Sequence, residues 1–392
     1  MITYTGKYNS ANVMIDEIDE ETVKQIYSFL NHPAFAETYV AIMPDCHAGA
    51  GAVIGFTARM NDYVIPNVVG VDIGCGVLAY KLGKIDIDFV KLDNFIKRHI
   101  PSGFSIRSAG ERMFNRMKPS EMLSRTLQSD VIRLSEKTGQ ETSKVLGSIG
   151  TLGGGNHFIE VDVTDDGEYW LVVHSGSRNF GLRVANYYQN KAKKLLKQEF
   201  DGASAYKGLE YLPVSDDEAS MGVDYLDAMQ VAQNYASVNR ETMAILILEY
   251  LFKDLRGKSF EVVSSTHNYI DFVDDIIRKG AVSARRDERL IIPFNMRDGI
   301  AICRGKGNPE WNFSAPHGAG RILSRRKAKE TLSLDEFTAQ MEGIYTTTAT
   351  QDTIDESPMA YKDTETIIDA IRETVSIEFM MKPVYNFKAS GD

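Results

Sequence analysis

Hydrophobic positions recur along this chain in two distinct periods. Four stretches place apolar residues three and four positions apart, as in an amphipathic helix, and they span residues 20–30, 86–99, 121–137 and 223–254. The last stretch predicts the longest helix, since a series of residues lines up at helical spacing, namely Leu226, Met229, Gln233, Ala236, Arg240, Met243 and Ile247. Its second half is so apolar that we expect it to be buried.

Shorter apolar runs predict β-strands at seven places. The runs are YVAIMPD, GVLAYKL, HFIEVDV, YWLVVHS, FEVVSST, LIIPFN and GIAICRG. Because these runs are scattered irregularly among the helices, their order favours a mixed α+β fold over a regular doubly wound sheet. No internal repeat or low-complexity linker interrupts the chain, so we expect one large domain over residues 1–392.

Composition and charge narrow the possible partners. The chain is 43% hydrophobic with a formal net charge of −10, which disfavours binding of nucleic acid through a broad basic face. We expect no membrane partner, because there is no apolar run of bilayer length and the N-terminal residues lack a signal-peptide pattern. Cys46, Cys75 and Cys303 are widely spaced, which argues against a disulfide framework and favours the cytoplasm.

A chemical pattern recurs at the ends of the predicted strands, where an apolar run is followed by His, Asp or Cys and then by a small residue. Any one of these residues alone is more often structural, but their joint placement favours a metal site. Asp72 and Cys75 lie three residues apart in a glycine-rich turn. A thiolate can bridge two cations, and His157, His174 and His267 could complete two shells. This donor set leaves zinc, cobalt and manganese open.

A second pattern surrounds His317 in the segment SAPHGAGRILSRR. The three residues that follow the histidine are Gly318, Ala319 and Gly320. Small residues let a ligand approach the backbone amides, and arginines bind phosphate oxygens. If RILSRRKAKE is helical, Arg321 and Arg325 lie four residues apart on one face. The segment therefore predicts a histidine that acts at a phosphate.

Eight motifs together resemble a known family. They are MPDCHAGAGAVIG, VGVDIGCGV, GTLGGGNHFIE, HSGSRNFG, HNY, KGAVSAR, HGAGR and SPMAYKD, in this order from about residue 40 onward. They resemble the RtcB-type RNA ligases. The resemblance implies a single large α+β domain with a central metal cleft. It also implies that RNA ending in a 3′-phosphate or 2′,3′-cyclic phosphate is joined to RNA with a 5′-hydroxyl, using GTP and manganese, in RNA repair or tRNA splicing.

The resemblance also implies a role for individual residues. Cys75 would bridge two manganese ions, with Asp72 and His157 on one ion and His174 and His267 on the other. His317 would be the nucleophile that accepts GMP. The residues implied for guanylate binding are Asn156, Phe158, Glu160, Asn295, Gly318, Ala319, Gly320 and Lys388. The residues expected to bind RNA phosphates are Arg178, Lys279, Arg285, Arg321 and Arg325. Whether a protein activator is needed stays open.

One segment departs from the family pattern and motivates two other functions. IPFNMRDG stands where the family commonly reads IPGSMG, so that Phe294, Asn295 and Arg297 replace Gly, Ser and Gly. We expect Asn295 to keep a hydrogen bond to the nucleotide. The first alternative is a dinuclear-metal phosphodiesterase that opens cyclic phosphates with lost or altered nucleotide use. The second is a non-catalytic protein that binds RNA ends, which the metal-type residues disfavour.

Overall fold

The computed structural model describes residues 1–49, 51–108, 110–113, 118–199, 206–215 and 220–389. Its helices are α1 (Glu20–Leu30), α2 (Pro66–Val69), α3 (Phe89–His99), α4 (Arg125–Lys137), α5 (Thr142–Gly147), α6 (Arg178–Glu199), α7 (Met221–Phe252), α8 (Arg325–Thr331), α9 (Leu334–Gln340) and α10 (Thr364–Ala370).

The strands fall into two larger sheets and two short pairs. They are β1 (Ile2–Thr5), β2 (Ser10–Val13), β3 (Val40–His47), β4 (Ile54–Arg59), β5 (Tyr63–Val64), β6 (Gly76–Gly83), β7 (Phe158–Val163), β8 (Tyr169–Ser175), β9 (Leu212–Pro213), β10 (Val262–Thr266), β11 (Asn268–Asp271), β12 (Ile276–Lys279), β13 (Ala281–Ser283), β14 (Arg289–Asn295), β15 (Gly299–Gly305), β16 (Ser314–Pro316), β17 (Tyr345–Thr346) and β18 (Val375–Lys388).

The strand order explains how distant parts of the chain meet. One sheet runs β1-β2-β3-β4-β12-β11, and the larger one runs β10-β6-β8-β7-β18-β15-β14 with β17 beside β18. The pairs β2–β3 and β17–β18 are parallel, whereas the neighbours within the β10-β6-β8-β7-β18 run are antiparallel. The predicted α+β class is therefore confirmed.

The periodic patterns located most of the major elements. The four predicted helices are present as α1, α3, α4 and α7, and the seven predicted strands as β3, β6, β7, β8, β10, β14 and β15. Helix α7 has 32 residues, and its second half is buried as expected, with Met243, Ala244 and Ile247 fully enclosed. That half packs against Leu171 and Val173 of β8 in one apolar core.

Helix α7 also supports the loops at the ends of the central strands. Arg240 is buried and donates to the carbonyl oxygens of Gly74 (2.7 Å) and Ser175 (2.9 Å). The neighbouring Asn239 accepts from the Gly150 N–H (2.8 Å) and donates to the Thr151 carbonyl (3.1 Å). Because buried backbone polar groups need partners, these two side chains stabilise the turns that carry the candidate site.

Two long elements were not predicted. Helix α6 has 22 residues, and its buried face carries Phe180, Val184 and Tyr188 at four-residue spacing, so the periodic signal was present in the sequence. Strand β18 has 14 residues and contains Pro383, which argues against a strand because proline cannot donate to the ladder. The register of β18 against β7 shifts between Pro383 and Tyr385, and this irregularity accommodates the proline.

No helix in the described part of the chain is both long and apolar enough to cross a membrane. The extent of the domain over residues 1–392 stays a prediction.

Substituting Gly74 tests how closely α7 supports the glycine-rich turn. Gly74 has φ +72°, and an added Cβ would lie 2.6 Å from the Gln233 Cα of α7. We expect Gly74→Ala to lower the melting temperature of the metal-free protein, because the left-handed backbone costs about 1–2 kcal/mol and the helix must also move. Gly83→Ala is the control, since Gly83 has φ +77° with no atom within 4 Å of the added Cβ. Equal melting temperatures for the two variants would contradict this packing.

Candidate active site

The register of four adjacent strands gathers the predicted metal ligands. Cys75 directly precedes β6, and Gly76 of β6 pairs with Thr266 of β10, so His267 follows at the same end of the sheet. On the other side, Val77 of β6 pairs with His174 of β8, and His174 pairs with Phe158 of β7. His157 directly precedes Phe158. The ladder hydrogen bonds therefore bring four residues from distant parts of the sequence to one place.

These residues form two groups that share one sulfur atom. Cys75, His174 and His267 make one group, and Asp72, Cys75 and His157 make the other, with the potential ligand atoms in each group within 4.8 Å of one another. The Cys75 Sγ lies 3.4 Å from Nε2 of His157 and 3.4 Å from Nε2 of His174. The division of the five residues is the one that the family resemblance implied.

The second nitrogen of each imidazole decides which nitrogen is free for a metal. Nδ1 of His157 lies 2.9 Å from the Leu152 carbonyl, and Nδ1 of His174 lies 3.1 Å from the Asn156 carbonyl. Since a carbonyl only accepts, Nδ1 of each ring carries a proton, and Nε2 is the nitrogen that a metal can take. The buried Nδ1 of His267 has no hydrogen-bond partner among the described residues, which suits a ligand atom.

The charge states of the two groups also fit a bound cation. Burial lowers the pKa of His174 and of His267 well below the ordinary value, so both rings are neutral near pH 7. Burial and the nearby Asp72 charge raise the pKa of the Cys75 thiol, whereas a bound metal would deprotonate it. A thiolate with three imidazoles and a carboxylate suits divalent transition metals better than magnesium or calcium.

Asp72 is held in its ionised form. Burial raises its pKa, but hydrogen bonding and charge attraction from His157 outweigh this and lower the pKa of Asp72 to about 2. Oδ2 lies 3.1 Å from Nε2 of His157, and Oδ1 accepts from the Ser177 N–H at 3.0 Å. A Cβ at Gly176 would overlap the Asp72 carboxylate, so this approach requires glycine.

His317 lies beside the metal groups but outside them. Its ring centre is 4.8 Å from that of His267. Its Nδ1 lies 2.7 Å from Oδ2 of Asp45, and the same oxygen accepts from the His317 backbone N–H at 3.2 Å. Asp45 is fully buried. Because a carboxylate accepts hydrogen bonds, Nδ1 carries the proton and Nε2 is the ring nitrogen left for reaction.

A cleft with a volume of about 800 Å³ connects these groups. Four of the predicted metal ligands line it with His317, whereas His157 does not lie on its wall. The predicted guanylate residues all line it, namely Asn156, Phe158, Glu160, Asn295, Gly318, Ala319, Gly320 and Lys388. One cleft is therefore lined by the candidate nucleophile, four of the five metal-type residues and the predicted nucleotide contacts.

Lys388 organises the inner end of this cleft. Its Nζ donates to the Asn156 carbonyl (3.1 Å), pairs with Glu356 (2.9 Å) and lies 5.2 Å from the centre of the Phe158 ring. Phe158 and Lys388 are register partners on β7 and β18, which explains their proximity. Glu160 is buried on the same face as Phe158 and accepts from the Asn386 amide (2.5 Å).

The expected nucleotide contact of Asn295 competes with a local role. Its Oδ1 accepts from the backbone N–H groups of Arg297 (3.0 Å) and Asp298 (2.9 Å), and its Nδ2 donates to Asp298 (2.8 Å). The side chain thus closes its own turn between β14 and β15, as an asparagine commonly does. A hydrogen bond from Asn295 to the nucleotide stays a prediction.

The five predicted RNA-phosphate residues occupy different surroundings. Arg321 and Arg325 line the cleft, and both pair with Glu356. The prediction that they share a helix face is wrong, because α8 begins at Arg325 after the N-cap residue Ser324. Arg321 instead lies in an isolated β-bridge with Tyr361, which holds its backbone extended.

The other three are not among the residues that line the cleft. Arg178 donates to Thr151 Oγ1 (3.1 Å) and to the Gly103 carbonyl (2.7 Å). Lys279 is buried with its Nζ on the Asn67 carbonyl (3.0 Å), and burial lowers its pKa to about 8. Arg285 forms ion pairs with acidic neighbours, namely Asp271, Asp274 and Glu288. RNA contacts by these three residues stay predictions.

Sequence reasoning left two acidic residues without a role. Asp45 lies in the quoted motif MPDCHAG, but only the structure pairs it with His317, 272 residues away. Glu356 directly precedes the motif SPMAYKD. Nothing in the sequence signals that this carboxylate meets Arg321, Arg325 and Lys388.

Comparison with known proteins covers most of the chain. A family model described as tRNA-splicing ligase RtcB matches residues 25–389. RNA-splicing ligase RtcB1 of an Escherichia coli strain is 31% identical over 397 residues, covering 94% of each chain. RNA-splicing ligase RtcB of Escherichia coli K12 is 30% identical with the same coverage. tRNA-splicing ligase RtcB of Aeropyrum pernix is 26% identical, covering 91% of this chain and 90% of that protein.

The shared sulfur atom makes a distinct prediction about metal binding. Cys75→Ala should lower metal occupancy of both groups, whereas His157→Ala should lower only that of the group with Asp72. Elemental analysis after dialysis against limiting Mn²⁺ or Zn²⁺ measures the metal per chain. Cys46→Ala is the control, because Cys46 is a buried free cysteine outside both groups. Equal metal content in Cys75→Ala and the wild type would contradict a shared ligand.

Proposed function

This chain belongs to the RtcB family, and from that premise we propose that it is a GTP-dependent RNA ligase. It joins RNA ends that carry a 3′-phosphate or a 2′,3′-cyclic phosphate to ends that carry a 5′-hydroxyl. The names of its relatives refer to splicing of RNA and of tRNA. We accordingly place its substrates among broken or spliced RNAs.

The observation that carries this proposal is the pairing of Asp45 with His317. A buried carboxylate on Nδ1 fixes both the orientation and the tautomer of the ring. Nε2 is then the ring nitrogen available as a nucleophile on the wall of the cleft. A carboxylate on Nδ1 would also suit a metal ligand, but His317 belongs to neither metal group, and five other residues already supply the two groups.

The reaction follows from that geometry in two transfers and one joining step. Nε2 of His317 attacks the α-phosphorus of GTP, and the bond to the β-phosphate breaks, so that pyrophosphate leaves. The ring becomes cationic while Nδ1 keeps its proton, and Asp45 stabilises that charge. A 2′,3′-cyclic end is first opened by water, whose oxygen bonds to phosphorus while the bond to the 2′-oxygen breaks and that oxygen takes the proton, which leaves a 3′-phosphate. An oxygen of the RNA 3′-phosphate then takes the GMP from His317. The 5′-hydroxyl finally attacks the activated 3′-phosphate, loses its proton and displaces GMP.

We assign the metal groups to two manganese ions. Asp72 and His157 would hold one ion, His174 and His267 would hold the other, and the sulfur of Cys75 belongs to both groups. Bound there, the ions would supply Lewis-acid neutralisation of the phosphate charge that repels the nucleophile. The chain itself keeps His174 and His267 neutral by burial, so a metal does not have to displace a proton from either ring.

We assign the inner end of the cleft to the guanine base. Two of the three Nζ donors of Lys388 are used, on Asn156 and on Glu356, which leaves one for a carbonyl or ring nitrogen of the base. The Phe158 side chain offers an aromatic surface beside it. Glu160 can accept from the N–H groups of guanine, and Gly318, Ala319 and Gly320 leave room for the phosphates beside His317.

We assign RNA phosphates to the cations near the cleft. Arg321 and Arg325 follow the nucleophile directly and line the cleft. An Arg325 guanidinium has five N–H donors, and those that do not point at Asp355 and Glu356 can reach a phosphate. Arg178, Lys279 and Arg285 would have to give up part of their present contacts to take part.

His317 guanylylation is the direct test of this function. Incubation with α-labelled GTP and Mn²⁺ should leave an acid-labile label on the denatured wild type and none on His317→Ala. Asp45→Asn should keep its metal but label more slowly, by about 10²-fold or more, because the ring loses its orienting acceptor. If the wild type takes no label from GTP but opens a cyclic phosphate without any nucleotide, the result would instead favour the phosphodiesterase.

The ionisation of Glu160 should make the affinity for the nucleotide depend on pH. Burial raises its pKa to about 7, although Lys388 and Asn386 act in the opposite direction. The carboxylate form accepts from guanine, so protonation as the pH falls through 7 removes that acceptor. GMP affinity of the metal-free protein, measured by calorimetry, should therefore fall about ten-fold from pH 8 to pH 6. Glu160→Gln should bind weakly at both values, and a flat wild-type profile would contradict this role.

A further inference from the structure

One buried carboxylate gathers the cations of two different subsites. The Glu356 side chain is only 2% exposed, and its Oε1 accepts from Arg321 (3.2 Å) and Arg325 (2.6 Å). Its Oε2 accepts from the Tyr361 hydroxyl (2.7 Å) and pairs with Lys388 (2.9 Å). We call these five residues the Glu356 network. Four donors on two oxygens leave this carboxylate fully occupied.

The members of the network come from separate parts of the chain. Lys388 ends β18 and reaches the Asn156 carbonyl and the Phe158 ring at the inner end of the cleft. Arg321 follows the small residues after His317, and Arg325 begins α8. Among the described residues, Glu356 alone pairs with all three cations, so it is the common link between Lys388 and the two arginines.

The charge balance shows what the carboxylate does. Burial raises the pKa of Glu356, but Lys388, Arg325 and Arg321 outweigh burial and lower that pKa to about 2. Glu356 is therefore charged throughout the neutral range. Without it, three cations would share a mostly buried space with one carboxylate, Asp355, which lies 2.7 Å from Arg325. Removing one partner of such a buried ion pair leaves charges without compensation, so the three cations would no longer be held in their present positions.

We propose that Glu356 is a positioning residue that couples the guanine subsite at Lys388 to the RNA-phosphate subsite at Arg321 and Arg325. This inference rests on the proposed function. Glu356 directs Lys388 so that its remaining donor faces the base, and it turns the two guanidinium groups toward the end of the cleft that contains His317. Occupancy of one subsite then affects the other, because both use the same carboxylate, with the two arginines on Oε1 and Lys388 on Oε2.

Asp355 provides a matched comparison within the same segment. Its carboxylate pairs with Arg325 (2.7 Å) and with Lys329 (3.7 Å), and Lys388 pairs with Glu356 instead. Asp355→Asn should therefore disturb the RNA-phosphate subsite alone. Glu356→Gln keeps the shape of the side chain and removes its charge, so it should disturb both subsites.

Two binding measurements and one chemical measurement distinguish these outcomes. Glu356→Gln should raise the Kd for GTP about ten-fold or more and reduce the preference for 3′-phosphate over 3′-hydroxyl RNA by a similar factor. Asp355→Asn should reduce that preference and leave the Kd for GTP unchanged. Guanylylation of Glu356→Gln at saturating GTP should reach the wild-type extent, since Asp45 and His317 are untouched. Melting curves establish that each variant is folded.

Several results would overturn the coupling. The coupling is refuted if the Kd for GTP of Glu356→Gln equals that of the wild type. It is also refuted if Glu356→Gln and Asp355→Asn change the Kd for GTP and the RNA-end preference in the same way. If Glu356→Gln does not fold, Lys388→Met is measured in its place. The inference is then overturned if Lys388→Met, without nucleotide, prefers 3′-phosphate over 3′-hydroxyl RNA as strongly as the wild type does. A wild type that takes no label from GTP would overturn the proposed function itself. If the wild type is labelled but the variants show no link between GTP affinity and RNA-end preference, only the role of Glu356 is refuted.

Discussion

The site depends on the antiparallel register of β10, β6, β8 and β7. Cys75, His157, His174 and His267 all lie at one end of these strands because each ladder places its last residues side by side. A slip by one residue would turn every side chain of a strand to the opposite face. The apolar cores on both faces of the sheet oppose such a slip, so packing far from the site preserves the distances within it.

Three carboxylates fix the cations and imidazoles around this frame. Asp72 holds Nε2 of His157, Asp45 holds Nδ1 of His317, and Glu356 holds Lys388 and two arginines. Asp45 and Glu356 are buried enough that losing their partners would leave a costly charge, whereas Asp72 is partly exposed toward the cleft. These pairings hold the imidazoles and cations in place before any ligand binds.

The sequence predicted elements well where a single period ran without interruption, as in α7 and β8. It failed for β18, whose Pro383 is tolerated only through a register irregularity against β7. It also failed for Arg321, which a helical spacing placed beside Arg325 although the chain is extended at that point. In each case a contact with a distant strand or residue overrode the local preference of the backbone.

The sequence by itself determined the chemistry that this protein carries, because ordered motifs of Cys, His, Asp and Gly state which donors and which tight turns exist. It also determined the α+β class through its hydrophobic periods. Only the tertiary structure decided that Asp45 orients His317 and that Glu356 joins Lys388 to Arg321 and Arg325. The physical reason is that the packing of whole helices and strands decides which charged group lies beside a buried charge. The distance between two such groups cannot be read from their spacing along the chain.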